Sequence, residues 1–66
     1  MPHENWAVRL KEGPAGELLE TGMTYASADS AARSLSKSNR GKSYAVADSR
    51  RPKFTYAVYR NGKDVS

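Results

Sequence analysis

Few side chains in this 66-residue sequence have the type and spacing to carry a reaction. The single histidine, His3, stands beside Glu4 in the N-terminal segment. A general base or metal ligand needs fixed partners, and no neighbouring residue offers them. Glu17 and Glu20 resemble a carboxylate pair only on paper, because on a strand residues three apart point to opposite faces. The Gly13-Pro14-Ala15-Gly16 loop is no phosphate cradle: it joins strand to strand, leads into no helix N-terminus and carries Glu17 where a lysine is needed. There is no cysteine, and so no thiol nucleophile, disulfide or thiolate metal site. The expectation is a protein that is not an enzyme and holds no cofactor and no metal.

Charge is the more informative feature. Residues 1–32 carry Arg9 and Lys11 against Glu4, Glu12, Glu17, Glu20 and Asp29, a net of −3. Residues 33–66 carry nine basic groups against Asp48 and Asp64, a net of +7. Such asymmetry points to an anionic partner. Two basic clusters stand out. Arg50, Arg51 and Lys53 belong to a polar loop whose base is flanked by Tyr44 and Phe54, a combination suited to phosphates and stacked bases. Arg33, Lys37 and Arg40 recur at i, i+4 and i+7 on one helix face, with Lys42 just beyond. Tyr56 and Tyr59 alternate along a strand, so one of the two is expected in the core and the other exposed for stacking; Trp6 is expected to anchor the core.

The elements that position these residues follow from periodicity. Asn5–Lys11 alternates Trp6, Val8 and Leu10 against Ala7, Arg9 and Lys11, the pattern of a half-buried strand. The turn residues 12–16 lead to a second alternation over Leu19–Tyr25, giving a hairpin with a five-residue loop. Ser27 is the expected helix cap, with Asp29 in the first turn. Ala28, Ala31, Ala32 and Leu35 then form an apolar stripe, and Asn39 or Gly41 supplies the stop. Small residues let this helix lie close against a sheet, so the strands must provide the bulk. Lys42–Asp48 and Phe54–Arg60 read as strands, and Asn61-Gly62 is a strong hairpin signal with only four residues after it. The fold class is α+β: a single small domain over residues 1–66, frayed at 1–4 and 64–66, in ββαββ order with a short or frayed final strand, and with an antiparallel sheet packed against one Ala-striped helix.

A chain this short hides only about 60% of its unfolded surface on folding. Without disulfides, a homodimer or a partner is one way to add stability. No apolar run approaches the roughly 18 residues of a membrane span, and no signal-peptide core is evident. Absence of cysteine suits a reducing compartment, so the expected location is cytoplasmic, with no membrane partner.

The pattern Trp6-Ala7-Val8-Arg9-Leu10, then Gly22-Met23-Thr24-Tyr25-Ala26-Ser27, then Ala31-Ala32-Arg33 resembles the hairpin-plus-helix of AP2 and integrase arm-type DNA-binding domains. That resemblance, over about half the chain, implies a sheet face that binds DNA through Arg9 and Lys11. The match departs by an extra residue between Gly22 and Tyr25 and by two strands after the helix. The same stretch is similar to the YegP-like family of small bacterial proteins, and to small phage proteins that inhibit host RNA polymerase.

Two functions follow as expectations. The first is a small basic module that binds nucleic acid, DNA ahead of RNA, through Arg33, Lys37, Arg40, Lys42, Arg50, Arg51, Lys53 and Tyr59. The second is a phage-like or bacterial regulatory protein that docks on an acidic surface of a host protein. The small size and the Met1 start suit a short accessory reading frame for it. Cationic attachment to a membrane surface is disfavoured, because the helix lacks a bulky apolar face.

Overall fold

The computed structural model describes residues 5–14 and 17–66. Its elements run β1 (Trp6–Leu10), β2 (Glu20–Met23), α1 (Tyr25–Ser38), β3 (Ser43–Asp48), β4 (Arg51–Arg60) and β5 (Lys63–Asp64). The class is α+β, with one antiparallel sheet in the order β2-β1-β3-β4-β5. The expected ββαββ order gains a fifth strand. Asn61 and Gly62 have φ of 55° and 79°, the double positive φ of a two-residue hairpin turn, so the chain after them folds back onto Tyr59 and Arg60. His3 and Glu4, and Ala15 and Gly16 of the first loop, lie outside the described residues.

The helix begins earlier than its sequence suggests. Thr24 is the N-cap: its backbone is extended and its hydroxyl oxygen accepts from the Ser27 N–H at 3.2 Å. Ser27 is therefore inside the first turn, where its amide needs the acceptor that Thr24 provides. Tyr25 joins the helix rather than β2, and Asp29 falls in the second turn. At the other end Asn39 donates its N–H to the Leu35 carbonyl at 2.9 Å, and Gly41, with φ of 85°, makes the left-handed turn. Ala28 and Ala32 are fully buried, with Ala31 and Leu35 packed beside them. The Ala stripe is the seam between helix and sheet.

The sheet's helix-facing side carries Trp6, Val8 and Leu10 from β1, Tyr44 and Val46 from β3, and Ala57 and Tyr59 from β4. Irregular register breaks simple alternation along β4. Val46 pairs with Ala57, Ala47 with Thr55, and Asp48 with Arg51, so β4 carries extra residues at two points. The first leaves Tyr56 free to turn to the same side as Tyr59. There it meets the Trp6 ring edge-on, 4.9 Å between centroids. Tyr56 and Tyr59, expected on opposite faces, thus share one. The second makes Arg51–Lys53, expected as loop, the irregular start of β4.

The other side of the sheet has no helix, yet Ala7, Ala45, Ala47 and Val58 are almost fully buried there. Arg9, itself 6% exposed, is part of that buried layer. It sits on β1, and its guanidinium donates to the Pro52 carbonyl on β4 at 3.0 Å. Between β1 and β4 lies β3, which puts about 10 Å of sheet under the side chain. Arg9 must cross β3, and the alanines of that strand leave it room.

Candidate nucleic-acid interface

The strands divide the basic residues between two ends of the sheet. β1 and α1 start at the end where Asp48 pairs with Trp6, and that end carries Arg50, Arg51 and Lys53. The opposite end is where α1 stops, β3 begins and the Asn61-Gly62 turn sits; Lys37, Arg40 and Lys42 gather there. The two clusters do not converge, because the chain reverses through β3 between them.

At the first end, cations lie among exposed aromatics. Phe54 is 65% exposed and Tyr56 47%, on the same strand as Arg51 and Lys53. Tyr25, from the first helical turn, meets Trp6 edge-on at 4.8 Å, so Trp6 is flanked by Tyr25 and Tyr56 with both rings nearly perpendicular to it. Burial and then the Asp29 carboxylate push the Tyr25 phenol up from its ordinary value. Arg50 is tied back: its amide donates to the Asp48 carboxylate at 2.9 Å, and its guanidinium lies 3.6 Å from the same oxygen. Tyr44 is not part of this end. It is buried, one residue from the start of β3 at the far end, so Phe54 is the only one of the two expected aromatics beside the cations.

Arg33 lies between the ends. Its guanidinium stacks 4.8 Å from the centre of the Tyr59 ring, donates to the Tyr59 hydroxyl at 3.4 Å and lies 3.9 Å from Asp29. These contacts hold it charged. Tyr59 is 4% exposed and donates its hydroxyl to Asp29, so its ring packs in the core and offers no open face to a base. Tyr56 occupies the exposed position instead.

At the second end the described cations exceed the ones foreseen. Lys11 donates its amide to Ser43, Ser43 pairs with Arg60, and Arg60 pairs with Lys63. Lys37 packs against the turn so closely that a Cβ on Gly62 would lie 3.4 Å from its own. Lys11, Arg60 and Lys63 thus join Lys37, Arg40 and Lys42. Their signal in the sequence was their position at strand ends and turns, which only the pairing of strands could bring together. Glu12 and Asp64 are the carboxylates of this end. Glu12 accepts the Ser43 N–H at 2.9 Å, which lowers its pKa, and Asp64 accepts from Ser66.

Arg9, which the family resemblance would assign to DNA, is 6% exposed and spent on backbone carbonyls. Among the described residues no cluster of three or more His, Cys, Asp or Glu could hold a metal, and no helix is long and apolar enough to cross a membrane. Compared with known proteins, the chain matches no family model, no curated protein and no solved structure.

Proposed function

We propose that this protein is a non-enzymatic nucleic-acid-binding module whose contact strand is β4. The observation that supports it is the presence of two exposed aromatics, Phe54 and Tyr56, with Arg51 and Lys53 on that strand. Exposed rings give bases a stacking surface, and neighbouring cations neutralise phosphates. The irregular register of β4 helps, because it turns Tyr56 to the helix side of the sheet beside Trp6, where it stays 47% exposed. Catalysis is not part of this reading.

Trp6 makes the test direct, since its ring touches Tyr56 and its emission reports events there. Titration of single-stranded DNA, duplex DNA and structured RNA at low and moderate salt is expected to perturb that emission. Affinity is expected to fall steeply as salt rises. In a double Arg51→Gln, Lys53→Gln variant the logarithmic salt slope is expected to drop by about 1.4 for a single strand. No binding to any of the three polymers at low salt rejects the reading.

One observation favours the alternative of a regulator docking on an acidic protein. β5 pairs only with Tyr59 and Arg60, so among the described residues the outer edge of β4 before Val58 has no strand beside it. An open edge can accept a partner's strand. A partner retained from nuclease-treated lysate, with no nucleic-acid binding, selects this alternative.

A further inference from the structure

The cationic rim at the far end of the sheet is not used by the stacking site, and its composition sets it apart from ordinary surface charge. Lys11, Lys37, Arg40, Lys42, Arg60 and Lys63 are all exposed, and none forms an ion pair among the described residues. Arg50 and Arg33, by contrast, each lie against an aspartate. The facing carboxylates of the rim, Glu12 and Asp64, are engaged with backbone amides but remain charged, which leaves an excess of four positive charges there. Glu17 and Glu20 lie beyond them on the β2 flank.

The rim is joined to the stacking site by β4 itself. From Phe54 to Arg60 the strand advances about 20 Å, the length of about six stacked nucleotides. Arg33 stands along the way on the helix side, with its side chain 57% exposed and Asp29 beside it. We infer that the rim holds the phosphodiester backbone of the same single strand whose bases stack on Phe54 and Tyr56, so that the protein has a two-part site with a minimum ligand length. This rests on the reading proposed above and adds to it a ligand form and a size. A rigid duplex keeps its bases stacked inside and cannot use the aromatic part, whereas a single strand can use both.

The test is affinity against length, with oligothymidylates of about 4, 8 and 12 nucleotides. The wild-type protein is expected to bind the short oligomer weakly and to gain at least about tenfold once the oligomer spans both parts. In a triple Lys37→Gln, Arg40→Gln, Lys63→Gln variant that gain is expected to vanish, with the salt slope for the long oligomer lower by about 2 and short-oligomer binding unchanged. Glutamine keeps most of each exposed stem, and an unchanged thermal melt confirms the fold. Phe54→Ala is expected to weaken all lengths alike. Retention of the length gain in the triple variant overturns the two-part site while leaving the stacking site intact. Absence of binding at every length overturns both.

Discussion

Arg9 on β1 donates to the carbonyl oxygen of Pro52 on β4 at 3.0 Å, across 43 residues of sequence and over the alanines of β3. This contact closes the helix-free side of the sheet and holds down the irregular start of β4. The guanidinium also reaches the Lys11 carbonyl, while its Nε has no partner among the described residues. Loss of the side chain removes this bond to the Pro52 carbonyl and uncovers Ala45 and Ala47. Arg9→Ala is expected to cost about 1.5–3 kcal/mol in urea unfolding, the range for hydrogen bonds to charged groups. Ala45→Leu, beside Arg9 in the register, is expected to cost about 1–3 kcal/mol by overpacking the same crossing. Wild-type stability in either variant would show that Arg9 does not clamp β4.

The Asn61-Gly62 turn predicts a second outcome. Gly62 combines a φ of 79° with a neighbour, Lys37, that a new Cβ would press at 3.4 Å. Gly62→Ala is expected to destabilise by about 1–2 kcal/mol, the usual cost of a left-handed non-glycine residue. Gly41→Ala has open space at the same kind of φ, so its loss is expected to be smaller. Equal losses would mean that the contact with Lys37 adds nothing.

Stability should depend on pH through Glu12. The Ser43 N–H stabilises its carboxylate and lowers its pKa below the ordinary 4.5. A lowered pKa contributes stability that is complete above 4.5 and fades as pH falls through the folded-state value. Glu12→Gln keeps an acceptor for Ser43 and removes the charge. It is expected to be less stable than the wild type at neutral pH and to converge with it on acidification, as followed by thermal melts. A gap that stays constant across acid pH would disprove this linkage.

At the alkaline end Tyr59 behaves in the opposite sense. Its hydroxyl donates to Asp29, which raises its pKa above 10.0, although the Arg33 guanidinium works against the shift. Its contribution is complete below 10.0 and lost as pH rises through the folded-state value. Tyrosinate absorbance is expected to lose one late-ionising phenol in Tyr59→Phe, while the late ionisation of Tyr25 remains. The same titration curve for both proteins, scaled for one tyrosine fewer, would show that the Tyr59 phenol is not held back from ionising.

Phe54 is 65% exposed, so its removal should separate binding from folding. Phe54→Ala is expected to leave the melting temperature within a degree or so and to weaken single-strand binding about 5- to 150-fold, the range for one stacked base. Undiminished affinity would move the stacking role from this residue.

The sequence by itself determined the class of structure, because that information is local. Alternation in Trp6–Leu10 and Ser43–Asp48, the Ala stripe at 28 and 32 and the Asn61-Gly62 turn each act through a few neighbouring residues. Helix, strands and sheet seam follow from them. It also determined the excess of positive charge after Arg33. What it left open depended on non-local pairing. The two extra-residue irregularities in β4 arise only against β3, and the first puts Tyr56 on the helix side with Tyr59, which is itself buried against Asp29 and Arg33. Thr24 rather than Ser27 became the cap because Met23 pairs with Trp6 and ends β2 one residue before it. Most consequentially, β3 lies between β1 and β4 and reverses the chain. That reversal sends Arg51 and Lys53 to one end of the sheet and Lys37, Arg40 and Lys42 to the other, so a charge split along the chain becomes a separation along β4.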